Sequence, residues 1–416
     1  MMSAMKFFRK IHLWLSVPFG IIITLICFSG AMLIFEPEIT RAVRSEVYRV
    51  AEVKDSPLPM GELMETVKAT LPDSVAITGV TVYDDNTRTY QVNLSKPRRA
   101  SVFVDQYTGQ ITGRYERLGF FSTMFGLHRW LLDSANPHGD GIKTGKLLVG
   151  ISTLMFVIAL ITGIVIWVPR ARKGLGHSLS ISFKKGWKGF WKGLHVAGGM
   201  YALIFVLAMA LTGLTWSFDW YRSAFYAVCG VEHTPRNFAQ AAPAPEKTGK
   251  GGEGRRDVRA EGREGRGGEG HRHGEGRPEG REEGRPEGRG HSEYGRWQQV
   301  YDRLKAQSPG SPQITVGPET ATVTLGTTGN GRASDRYTFD RRSGEVTPAT
   351  RYADSTGADK LRGWIYSIHT GSLGGLFTRI LWLLAALLGA TLPLTGYYIW
   401  IRHLTKKKKA AVAHSR

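Results

Sequence analysis

Residues Trp191–Phe218 read WKGLHVAGGMYALIFVLAMALTGLTWSF, a histidine followed by an apolar run that ends in a Thr-Gly pair. The chain carries the same arrangement near its start. In Lys10–Phe35, KIHLWLSVPFGIIITLICFSGAMLIF, His12 precedes Gly30 by eighteen residues, as His195 precedes Gly213. Two further segments form a second matched pair. Thr162-Gly163 leads to Trp167 and Arg170, and Thr395-Gly396 leads to Trp400 and Arg402. A histidine stands upstream of each, at His128 in GLHRW and His369 in SIHTG. The unit helix, outside segment, histidine, helix therefore occurs twice in tandem.

Four apolar runs, roughly Ile11–Phe35, Leu147–Val168, Leu194–Phe218 and Ile380–Ile401, have no charge in their middle. Each reaches the ~20 residues that cross a ~30 Å hydrocarbon layer at 1.5 Å per residue. The formal charge of +20 would suggest nucleic acid in a soluble protein, but its placement argues otherwise. Lys6, Arg9 and Lys10 precede the first run; Arg170, Arg172, Lys173, Lys184, Lys185, Lys188 and Lys192 fill the short link between the second and third; Lys406 to Lys409 follow the fourth. Cations at alternate ends put that link and both termini in the cytoplasm and the longer segments outside. A bacterial inner membrane is the expected setting, with lipid as a partner and nucleic acid excluded. The first run is too long for a signal-peptide core and lacks a small-x-small cleavage site. Two cysteines, one inside a run, make a disulfide framework improbable.

The expected fold is a four-helix transmembrane bundle with two periplasmic α+β domains, built as an internal tandem repeat. Residues 1–36 hold the first span, 37–120 the first outside domain, 121–170 a histidine-bearing segment and the second span. Residues 171–190 are a cytoplasmic loop and 191–220 the third span. Residues 221–360 hold the second outside domain, 361–404 a histidine-bearing segment and the fourth span, and 405–416 a basic tail. In each outside domain a helix (Met60–Thr70, then Trp297–Leu304) precedes alternating strand patterns at Val80–Val82, Thr89–Leu94, Ser101–Val104 and Ala321–Leu325. Between 243 and 292 the composition falls to Gly, Arg, Glu, Pro and His, which cannot offset its ordering entropy and is expected to be disordered. Gly249, Gly251 and Gly254 match GxGxxG there, but no strand precedes them and a dinucleotide site is rejected.

Helices one and three both start in the cytoplasm, so His12 and His195 share a depth near the inner face. His128 and His369 both precede helices that start outside and share a depth near the outer face. Two pairs at two depths suit two six-coordinate haems, because bundles build cofactor sites from facing helices and imidazole is a good axial ligand. The expectation is two bis-histidine haem b groups with iron held by His12, His195, His128 and His369. Gly198, Gly199 and Gly20 allow close approach either of a macrocycle or of another helix. Lys146 and Arg379 each lie sixteen residues before their threonine, about 24 Å along a helix, near the outer edge of the hydrocarbon. With Arg129 beside His128, they are candidates for pairing haem propionates, against the alternative of snorkelling to lipid phosphate. His138 is a rival ligand, since the loop after His128 is eight residues longer than its counterpart.

The strand-turn sequences VFVDQYTGQI (102–111) and YTFDRRSGEV (337–346), each after a helix and between paired spans, resemble the PepSY domain. The layout is similar to the PepSY-associated transmembrane family, and within it to ferric-siderophore reductases of the bacterial inner membrane. That resemblance implies a haem-dependent ferric-chelate reductase releasing Fe(II) in the periplasm. The electron source would be quinol or a cytoplasmic donor, since no flavin or nicotinamide site is readable. An iron-chelate permease and a PepSY-based regulatory or peptidase-inhibiting membrane protein are the alternatives.

Overall fold

The computed structural model describes residues 2–97, 99–133, 144–184, 186–232, 294–326 and 329–414. The Arg/Gly/Glu insert and His138 lie outside them. In chain order, α1 (Met2–Leu33), α2 (Glu36–Val43), α3 (Ser45–Tyr48) and α4 (Met60–Ala69) lead to strands β1 (Ile77–Tyr83), β2 (Tyr90–Leu94), β3 (Ser101–Val104) and β4 (Ile111–Arg114). Helices α5 (Gly119–Trp130), α6 (Thr144–Ala171), α7 (Leu175–Ser178) and α8 (Gly186–Gly193) follow. A π-helical turn at Leu194–Gly198 joins α8 to α9 (Gly199–Ser217), and α10 (Asp219–Val228) comes next. The chain then gives α11 (Gly295–Gln307), β5 (Gln313–Val316), β6 (Thr320–Thr324), β7 (Ser334–Phe339), β8 (Val346–Thr350), α12 (Gly357–Thr370) and α13 (Gly375–His414).

Four stretches, Ala4–Leu33, Thr144–Ala171, Gly186–Ser217 and Ser372–Lys406, are long and apolar enough to cross a membrane. The third begins at Gly186, inside what the sequence assigns to the loop 171–190. Its first two turns, GWKGFWKG, alternate aromatic and basic residues, with Trp187 65 % exposed. Such a segment suits the headgroup layer, where indole rings and lysines both find partners. Pro393 lies within α13, which runs unbroken for 40 residues. Helices α1 and α13 are sewn together by Tyr397, whose phenol lies over Gly20 and donates to Val17 O, and by Thr24 Oγ1 donating to Ala390 O at 3.1 Å.

The two segments between paired spans share one sheet where the sequence suggests two separate domains. Their eight strands make one antiparallel sheet in the order β4-β3-β2-β1-β5-β6-β7-β8. The halves meet edge to edge at β1 and β5, with Val80 opposite Val316 and Thr81 opposite Thr315. Pairing there removes two exposed edges that would otherwise invite aggregation. The core is shared as well: Met60, Leu63, Met64 and Val67 of α4 pack in one cluster with Trp297, Val300 and Leu304 of α11, all at most 1 % exposed. Each such side chain contributes about 1.5–3 kcal/mol relative to exposure. The seam between the two halves is therefore closed by the sheet itself.

The duplicated D-x-x-[TS]-G motif owes its residues to one turn. Asp105 Oδ1 accepts from Tyr107 N at 2.9 Å, and Gly109, at φ +75°, donates its amide to Asp105 O at 2.9 Å. The second copy repeats this with Asp340 Oδ1 accepting from Arg342 N and Ser343 N at 2.9 and 2.7 Å and with Gly344 at φ +72°. An aspartate can close its own turn in this way, and the left-handed position after it favours glycine.

Candidate functional site

The four histidines named from the repeat come together as two pairs. The rings of His12 (α1) and His195 (the π-helical turn) have centroids 6.3 Å apart, with their planes at 81°. Those of His128 (α5) and His369 (α12) are 6.0 Å apart at 54°. Each pair takes one histidine from each half of the chain. The first pair sits near the start of α1, far from the sheet, and the second packs against the other end of α1, on the sheet side.

Two imidazole nitrogens at about 2.0–2.1 Å from one metal stand ~4 Å apart, and adding the half-width of each ring gives ~6.3 Å between ring centres. Both observed separations match that span. Among the described residues there is no group of three or more His, Cys, Asp or Glu that could hold a metal. Each pair thus offers two imidazoles only, which fits an iron whose remaining ligands come from a macrocycle and not a protein-closed zinc cage.

Hydrogen bonds fix the tautomer. His12 Nδ1 lies 3.0 Å from Ala159 O, His195 Nδ1 3.1 Å from Leu392 O, His128 Nδ1 2.9 Å from Ile26 O and His369 Nδ1 2.9 Å from Met209 O. A carbonyl only accepts, so each Nδ1 carries the proton and each Nε2 keeps its lone pair. Among the described residues no hydrogen bond reaches any of the four Nε2 atoms. An N–H donated to backbone is how proteins orient a metal-ligating histidine.

The contacts repeat. Ala159 and Leu392 occupy the same position in α6 and α13, and Ile26 and Met209 the same position in α1 and α9. Four residues beyond each carbonyl stands a glycine directly under the ring. A Cβ there would lie 3.6 Å from His12 at Gly163, 3.4 Å from His195 at Gly396, 2.8 Å from His128 at Gly30 and 3.1 Å from His369 at Gly213, each to Cε1. These glycines, present in the sequence as alignment landmarks, are the seats of the four imidazoles. The glycines singled out earlier do something else: Gly20 faces Tyr397 and Pro393, Gly198 faces Leu194 and Leu388, and Gly199 faces Leu392. They serve helix packing, as small residues do between membrane helices.

The candidate cations divide. Arg379 forks onto Glu38 of α2, with both nitrogen–oxygen distances at 2.7 Å, also donates to Ile34 O, and lies over the Phe35 ring at 4.6 Å. Its fork is filled by a carboxylate of the chain itself, whereas the sequence offered it to a propionate. In return the Arg379 hydrogen bond holds the Glu38 carboxyl below the usual carboxylate range, against the opposing effect of its partial burial. A sister pair joins Arg117 to Glu36 at 2.5 and 3.0 Å, with the Arg117 guanidinium 4.1 Å from the Phe125 ring of α5. Arg117 so ties the helix bearing His128 to the start of α2. Lys146 is exposed on the first turn of α6. Arg129 is exposed beside Phe125 and Trp130, at 5.5 and 5.7 Å. Trp216 packs edge-on against His369 at 5.0 Å.

With these spans, this sheet and these pairs, the protein is a multi-pass membrane protein. A family model for the PepSY-associated TM region matches residues 9–403, and the chain belongs to that family. No curated protein matches it.

Proposed function

We propose that this protein is a di-haem electron-transfer protein of the bacterial inner membrane, with both termini in the cytoplasm, that reduces ferric siderophore on the periplasmic, sheet-bearing side and releases Fe(II). The observation that carries the reading is the duplicated pair of imidazoles at metal-sharing distance, each tautomerically set with Nε2 free. Haem b bound in this way would supply one-electron chemistry with no open coordination site.

The residues divide the work. His12 and His195 would hold one iron near the cytoplasmic face, and His128 and His369 the other near the outer face. The backbone carbonyls of Ala159, Leu392, Ile26 and Met209 orient the rings, so that little rearranges when charge changes. The glycines beneath them keep the rings from being pushed out of line. Lys146 and Arg129 are the cations left to meet anionic propionates at the outer edge. Siderophore as substrate rests on the resemblance to ferric-siderophore reductases. The chemistry agrees with it, since chelators that favour Fe(III) let go of Fe(II). Quinol or a cytoplasmic reductant would supply the electrons.

The test is a pyridine haemochrome assay on purified protein and on His12→Ala, His195→Ala, His128→Ala and His369→Ala. Two haems per chain in the parent and one in each variant are expected. A colourless parent would overturn the reading and favour an iron-chelate permease or a regulatory membrane protein.

A further inference from the structure

Three of the four imidazoles have a second acceptor on Nδ1–H, and one has not. His12 Nδ1 lies 3.1 Å from Thr162 Oγ1, His195 Nδ1 3.0 Å from Thr395 Oγ1, and His369 Nδ1 3.2 Å from Thr212 Oγ1. Each threonine is three residues beyond the acceptor carbonyl. Each hydroxyl donates its own proton to its helix: Thr162 to Ala159 O at 2.9 Å, Thr395 to Thr391 O at 2.9 Å and Thr212 to Ala208 O at 2.6 Å. What each Oγ1 then presents to the histidine is a lone pair, so the Nδ1–H is shared between two acceptors. At His128 the matching residue is Ser29. Its hydroxyl goes to Leu25 O at 2.6 Å and Ile26 O at 3.1 Å, and among the described residues no hydrogen bond joins it to His128.

An N–H drawn by two acceptors leaves more electron density on the far nitrogen of the ring, and a stronger donor stabilises the ferric over the ferrous state. Second-shell hydrogen bonding is one of the levers a protein has on haem potential. The pair far from the sheet has two such hydroxyls and the sheet-side pair has one. We propose that Thr162, Thr395 and Thr212 are positioning residues that set the two centres at different potentials, the lower one far from the sheet, so that electrons run downhill toward the sheet side. This rests on the two-haem reading above. The step balances simply. With haem bound, one electron would pass from the ferrous iron held by His12 and His195, leaving it ferric, to the ferric iron held by His128 and His369, making it ferrous. No bond breaks and the Nδ1 protons stay where they are.

The experiment is an optical redox titration of the purified full chain in detergent. His12→Ala, which keeps only the sheet-side centre, assigns the waves. The parent is expected to give two one-electron waves, the lower belonging to the His12/His195 centre. Thr162→Val and Thr395→Val each shift that lower wave to more positive potential and narrow the gap. Thr212→Val raises the other wave, and Ser29→Ala moves neither. Thr395→Ser, which keeps the hydroxyl, retains the parent potential. Thr395→Ala removes the acceptor without adding a methyl and gives the same shift where valine is not accommodated. The proposal is overturned if both haems are retained and neither Thr162→Val nor Thr395→Val moves a wave, or if the lower wave belongs to the sheet-side centre. A parent chain without haem overturns this proposal and the function together, so the two failures are told apart.

Discussion

Replacing Gly30 by alanine tests the seat beneath His128 with a single methyl group. The added Cβ would lie 2.8 Å from Cε1 and 3.0 Å from Nδ1 of that ring. Carbon atoms rest at about 3.5–4.0 Å, so the ring must retreat by roughly 0.7–1.2 Å. Functional constellations tolerate about 0.5 Å. Overpacking of this kind costs about 1–3 kcal/mol, and here it acts on the His128 ring and on its hydrogen bond to Ile26 O together. Gly163→Ala is the control, because a Cβ there lies 3.6 Å from His12, ordinary contact distance. Both glycines are helical, where alanine is favoured over glycine by about 1 kcal/mol, so backbone propensity works against the expected loss and cannot cause it. Haem stoichiometry is measured on each variant purified in one detergent. Gly30→Ala is expected to retain one haem per chain and Gly163→Ala two, with Gly213→Ala and Gly396→Ala in between. Two haems with unshifted bands in Gly30→Ala, alongside loss in Gly163→Ala, would refute the seating argument.

Three further outcomes are expected. Near-perpendicular imidazoles leave the iron dπ levels almost degenerate, so the 81° pair should give the more anisotropic low-spin EPR signal and the 54° pair the less, and His12→Ala should remove the former; two identical signals would contradict the geometry. Glu38→Gln should lower thermal stability at neutral pH by no more than ~1 kcal/mol, since the Glu38 side chain is 42 % exposed. A carboxyl held low in the folded state stabilises above its unfolded pKa and loses that contribution as pH falls through the folded value, so melting curves of parent and variant should converge only below about pH 4.5. Trp297→Ala, at a site 1 % exposed, should cost about 3–5 kcal/mol. Because α4 and α11 share one core, the sheet of that variant should still melt in one transition; two resolved transitions would show that the lobes fold separately.

The spans and the four histidines were legible because duplication supplies an internal control. A lone histidine at a helix end means little, but one that recurs with the same spacing to Thr-Gly points to a common role. The turn motif was legible for a local reason, the aspartate closing a loop that needs glycine. What the sequence hid was non-local. Strand β5 is only Gln313–Val316, and its partner β1 lies more than two hundred residues away, so no periodicity announces the seam. The depth of Arg379 could be counted along a helix, but its partner could not, because Glu38 reaches it from a different helix. The threonines and glycines that hold the rings stood in the sequence as spacing markers; only the packing of α6 and α5 on α1, of α13 on the π-helical turn and of α12 on α9 shows that they touch imidazole.

The edge-to-edge seam at β1 and β5 makes the two halves interdependent. Neither half of this polypeptide owns a complete pair of imidazoles, so each half depends on the other, joined at that seam, to bring two rings together. Within one chain the two copies need not be identical, and Ser29 standing where the other copy has Thr212 is a difference that two identical subunits could not carry on one side alone.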